Sequence, residues 1–260
     1  MWLVEDSDTR IYMLGTMHAL PRGTDWDDGK VAGAIAAADE LVLELSPAEL
    51  STAGGIFGEL APRSAPLAME KRLPADALAG YRTLEASGGN FGGDKLDDWA
   101  VMVLMGQRVA QKAELMPSQG VEAGLTAAFE AAGKPVGGLE TAREQLMLFE
   151  TLDPQTQRTL LTRAAAKADK AVEDVDALTA AWARGDIAAL EKVINEDVDV
   201  VPAARKAIIT DRNRRWSAWI KQRMERPGTV MLAVGAGHLV GSDGVPTMLE
   251  AEGIKVTRVQ

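Results

Sequence analysis

Short apolar, β-prone runs recur along this chain at residues 2–5, 10–14, 41–45, 135–139, 229–234 and 254–259. From the third run onward each is preceded by a helix-patterned segment, and the last three also by Gly or Pro punctuation. That alternation predicts an α/β fold with a mostly parallel or mixed central sheet flanked by helices, because parallel neighbours need a crossover and a helix supplies it. The first two runs differ. Asp6, Ser7 and Asp8 separate them, which predicts a hairpin. Residues 47–134 and 141–227 are helical by pattern and much longer than a crossover requires. The expectation is therefore a single domain over residues 1–260 with two helical insertions forming a cover. Trp216, Trp219 and Ile220 fall at i, i+3 and i+4, a spacing that buries one helix face, and with Trp99, Val103 and Leu104 they read as core.

Composition narrows the function. A chain of 260 residues, 47% of them hydrophobic, can bury a sizeable core. With 28 basic against 38 acidic residues its net charge of -10 repels nucleic acid and anionic membrane, which argues against either as the main partner. Arg212, Arg214 and Arg215 are interrupted by other residues and read as one face of a helix. No apolar run approaches the roughly 20 residues that span a bilayer. The absence of cysteine excludes disulfides, thiolate ligands and thiol nucleophiles. No Gly-x-Ser-x-Gly elbow occurs, and the Gly-rich stretch at 88–93 matches no phosphate-binding fingerprint. Strand-like residues follow Met1 directly, as in a mature domain cut after a secretory signal; a periplasmic or secreted location is the expectation, and a cytosolic one stays open.

In open α/β sheets ligands bind at the carboxyl ends of the strands, so the residues there carry the chemistry. They are His18, Glu44, Glu140 and His238. The two histidines are the only ones in the chain, and both close a G-x-x-H motif that begins at Gly15 or Gly235. Either histidine alone reads as a hydrogen-bonded structural residue. Together they predict a shared site. Two imidazoles and two carboxylates at one sheet edge suit a divalent cation such as Zn, Mn or Co. Gly15, Gly235 and Gly237 would let the backbone adopt positive φ or approach a ligand closely. Glu122 falls in the first turn of a helix opened by Gly120 and capped by Ser118, where the helix dipole alone favours a carboxylate.

The motifs Gly15-Thr16-Met17-His18, Leu43-Glu44-Leu45, Gly120-Val121-Glu122, Gly138-Leu139-Glu140-Thr141 with Gln145, Arg212-Asn213 and Gly235-Ala236-Gly237-His238-Leu239 resemble the TraB/GumN family in order and spacing. That family is similar to the Tiki metalloproteases and, more distantly, to erythromycin esterase and ChaN-like haem-binding proteins. The resemblance implies a metal-dependent hydrolase, most simply a peptidase, with His18, Glu44 and His238 as ligands. Glu140 would be its general base, Arg212 would hold the oxyanion or a substrate carboxylate, Asn213 would assist, and Glu122 would lie close by. Two other readings stand beside it: a metal-free, esterase-like hydrolase with His18 as base, and a protein that binds a peptide, haem or metal without turnover. The expected partner is a peptide or small-molecule substrate; oligomeric state is not legible.

Overall fold

The computed structural model describes residues 1–27, 29–198 and 201–260. Its six strands are β1 Trp2–Glu5, β2 Thr9–Thr16, β3 Glu40–Leu45, β4 Val136–Glu140, β5 Gly228–Gly235 and β6 Val256–Arg258. They form one mixed sheet in the order β4-β3-β5-β2-β1-β6. The four strands from β4 to β2 run parallel, and β1 is antiparallel to both of its neighbours. The expected hairpin forms because Asp6 Oδ1 accepts from the N–H groups of Asp8 and Thr9, at 3.1 and 2.9 Å, and closes the turn between β1 and β2. Two strands run further than expected. β2 continues to Thr16 and β5 to Gly235, and Thr16 pairs with Gly235, so the first glycine of each G-x-x-H motif lies inside the sheet.

The helices in chain order are α1 Gly29–Ala37, α2 Pro47–Leu60, α3 Ala75–Ala86, α4 Asp98–Lys112, α5 Val121–Ala131, α6 Ala142–Glu150, α7 Pro154–Ala166, α8 Ala171–Ala183, α9 Ile187–Val198, α10 Pro202–Arg205, α11 Asp211–Arg223 and α12 Val245–Ala251. Side chains alternate across a strand, so β5 feeds two cores. Met231 and Ala233 pack with Val31 and Ala34 of α1 and with Leu125 and Phe129 of α5. Val230, Leu232 and Val234 pack on the other face with Trp216 and Ile220 of α11 and Leu249 of α12. Burying each Val, Leu, Ile, Met or Phe among these is worth about 1.5–3 kcal/mol, which is why a continuous apolar run with helices on both sides is stable as a central strand.

The insertions supply a third core of their own, in which Tyr81, Phe91, Met105 and Leu161 come from α3, α4, α7 and the loop between α3 and α4. A buried acid, Asp98, ties this layer together by accepting from Arg72 Nε at 2.7 Å and from Arg158. The cover also reaches the sheet, since Trp182 of α8 donates its indole N–H to the Gly15 carbonyl at 2.8 Å.

Candidate functional site

The strand order sets the site. Because β4, β3, β5 and β2 are consecutive neighbours, their carboxyl ends deliver Glu140, Glu44, His238 and His18 side by side. A Cβ on Gly235 would stand 3.2 Å from Glu44 Oε1, 3.7 Å from His238 Cδ2 and 3.8 Å from His18 Nε2. Both histidines and Glu44 thus face the same small space. Gly235 keeps that space open by lacking a side chain rather than by its backbone angle, since neither Gly15, Gly235 nor Gly237 has positive φ. At Gly15 a Cβ would lie 3.1 Å from Ala236 Cα, where the two motif strands touch.

His18 is held from the cover. Gly120 passes so close beneath it that a Cβ would sit 2.2 Å from the His18 carbonyl oxygen, and Val121 N–H donates to Met17 O at 3.1 Å. That contact seats the first turn of α5 against the end of β2. Glu122 Oε1 then accepts from Thr16 Oγ1 at 2.5 Å and lies 2.7 Å from His18 Nδ1. A carboxylate only accepts, so Nδ1 carries the proton and the Nε2 edge is left to face Glu44 and Gly235. Ser118 does not cap α5: it lies in a 3-10 turn, Pro117–Gln119, and the N-cap is Gly120 without a side-chain bond.

His238, Glu44 and Glu140 are organised instead by Arg212, which is 4% exposed. Its Nη2 donates to Glu44 Oε2 at 2.5 Å and to Glu140 Oε2 at 2.8 Å, its Nε to Glu140 Oε1 at 3.1 Å, and its Nη1 to His238 Nε2 at 2.9 Å and Ile208 O at 3.3 Å. All five of its N–H donors are engaged. Since arginine cannot accept, His238 Nε2 is the acceptor and the ring is the Nδ1–H tautomer, which donates to Asn213 Oδ1 at 2.6 Å. Asn213 spends its amide on the carbonyls of Asp243, at 2.7 Å, and His238, at 3.3 Å. A π turn at Lys206–Thr210 precedes α11 and aims Arg212 and Asn213 inward, so Asp211 does not act as a side-chain cap. Trp216 floors the cluster, 4.5 Å from the His238 ring centroid and 4.6 Å from the Arg212 guanidinium carbon.

The electrostatics divide the histidines. Burial pushes His238 down to about 3, so it is neutral at working pH. The hydrogen bond to Glu122 outweighs desolvation and raises His18 to about 9, although its side chain is 71% exposed and solvent screens the pair. Burial would raise Glu44, yet Arg212 and the histidines hold it down at about 2.

Several expected roles change with this geometry. Arg212 does not present donors to an oxyanion, because carboxylates, imidazole and a carbonyl take them all. Asn213 is fully buried and orients His238 rather than a substrate. Glu140 accepts from both Arg212 and Arg215, so its oxygens are engaged where a general base needs one free. Arg212, Arg214 and Arg215 do not all share one helix face: Arg212 and Arg215 both reach Glu140, whereas Arg214 pairs with Asp211. Thr16, Arg215 and Trp216 were missed as site residues. Thr16 could have been found from its place inside the first G-x-x-H motif. Gln145, quoted only with its motif, donates to Glu44 Oε2 at 3.0 Å.

A cation on His18, Glu44 and His238 does not fit this arrangement. The His238 Nε2 lone pair and Glu44 Oε2 are already occupied by a fixed positive charge. Among the described residues no group of three or more His, Asp or Glu side chains is placed to hold a metal ion.

The TraB/PrgY/gumN family model matches residues 1–258. No curated protein and no solved structure matches the chain. Among the described residues no helix is long and apolar enough to cross a membrane.

Proposed function

This chain belongs to the TraB/PrgY/gumN family, and from that premise we propose that it is a hydrolase of an ester or amide bond in which His18 is the general base. The observation that carries the reading is the His18–Glu122 pair at 2.7 Å, which fixes the proton on Nδ1 and leaves Nε2 directed at the space bounded by Glu44 and Gly235. A water there gives its proton to Nε2 while its oxygen bonds to the carbonyl carbon. The C=O electron pair moves onto oxygen. When the carbonyl re-forms, the bond to the leaving alkoxide or amine breaks and that group takes the proton back from His18. Glu122 stabilises the imidazolium between the two transfers. Arg212 and Arg215 together offset the charges of Glu44 and Glu140, and Arg212 holds His238 in place. Substrate reaches the base from solvent, since His18 is the exposed member of the site.

The experiment is hydrolysis of a p-nitrophenyl ester series and a peptide library by protein dialysed against EDTA, beside His18→Ala. The expected result is turnover in the dialysed protein and a loss of roughly 10²-fold to 10⁴-fold on removing the base. Turnover that vanishes on dialysis and returns with Mn, Co or Zn sinks this reading and restores the metal-dependent one.

A further inference from the structure

We propose that the guanidinium of Arg212 is the resident cation of this site: a divalent ion and the native Arg212 exclude one another, and removing Arg212 frees Glu44, Glu140 and His238 to close around an ion that they are not placed to hold while it is present. A divalent transition ion needs a neutral imidazole lone pair and carboxylate oxygens that converge. Three groups of that kind at this sheet edge converge on one side chain, with His238 Nε2 at 2.9 Å from Nη1, and Glu44 Oε2 and Glu140 Oε2 at 2.5 and 2.8 Å from Nη2. Arginine does not lose its proton, so an incoming ion meets a fixed positive charge as well as acceptors already in use.

Nor can the side chain step aside freely. It is stacked on Trp216 and would forfeit five satisfied donors, including the bond to Ile208 O. Asn213 completes the device from behind, since by accepting from Nδ1–H it keeps the His238 Nε2 lone pair directed at the cation position. Take Arg212 away, and Glu44 loses its cation while Glu140 keeps only the half-exposed Arg215, leaving negative charge that a divalent ion offsets. The inference stands apart from His18 acting as a base, because it is read by metal binding rather than turnover.

Cobalt(II) titration followed by visible d–d absorption tests it on wild type, Arg212→Met and Arg212→Met/His238→Ala. Wild type is expected to show no stoichiometric site. Arg212→Met should take up one cobalt at least about 100-fold more tightly, the scale on which metal sites respond to changes in their surroundings, and the added His238→Ala should abolish it. Should Arg212→Met fail to fold, Arg212→Gln, which removes the fixed charge but keeps an amide donor for the carboxylates and leaves Glu44, Glu140 and His238 intact, carries the same comparison. A stoichiometric cobalt band in wild type that His238→Ala removes overturns the proposal. So does a folded Arg212 variant that binds cobalt no better than wild type.

Discussion

At the scale of the residue, two histidines in matched motifs are driven to opposite states by what each ring nitrogen meets. His18 Nδ1 meets a carboxylate, and His238 Nε2 meets a guanidinium. A general base works as neutral imidazole, so activity is present above its pKa and lost as pH falls through it. With His18 raised to about 9 by Glu122, kcat/KM should climb with pH to about 9. Glu122→Gln keeps the shape but removes the charge, and the limb should move toward the ordinary value of about 6.5, with a lower plateau. Coinciding profiles for the two proteins would show that the pair does not set the proton affinity. Asn213 acts through His238. Asn213→Ala leaves a buried Nδ1–H without an acceptor and should cost about 1–3 kcal/mol, read as a lower urea midpoint at unchanged m-value.

Among the elements, glycines decide how closely helices and strands approach the site, and two of them separate folding from function. At Gly120 a methyl would strike backbone, the His18 carbonyl at 2.2 Å, which cannot give way cheaply. Gly120→Ala should lift α5 from the end of β2, destabilise by about 1–3 kcal/mol and return the His18 pKa, measured by NMR titration, toward about 6.5. At Gly235 the nearest atoms belong to side chains, the closest being Glu44 Oε1 at 3.2 Å. Gly235→Ala should therefore keep a near-native Tm and lose turnover by filling the space beside His18 Nε2. If the two variants lose stability equally, glycine at 235 serves packing and the site assignment there is wrong. Gly138 has the same kind of constraint, since a Cβ would lie 2.6 Å from Ser46 N where β4 passes the end of β3.

For the whole molecule, the α/β class and the helical cover were legible because they follow from local pattern. A run such as residues 230–234 is apolar at every position, and only burial on both faces satisfies it. Asp6 marks a turn because its side chain accepts from the backbone N–H groups two and three residues on. The four chemical residues were legible for a related reason: ends of buried strands are where ligands meet a sheet, and His18, Glu44, Glu140 and His238 occupy those ends. Their partners were not legible. The ion pair of Glu44 and Arg212 spans 168 residues, and the bond of Thr16 to Glu122 spans 106. Periodicity places each on its own element without saying which elements touch. The order β4-β3-β5-β2, the seating of α5 on Gly120 and the π turn before α11 are products of packing between distant segments, and each depends on the others being in place. The sequence by itself determined which residue types stand at the sheet edge; tertiary structure alone decided that Arg212 faces inward to claim His238 and both carboxylates, leaving His18 to Glu122 and to solvent, because hydrogen-bond partners are chosen by proximity in space.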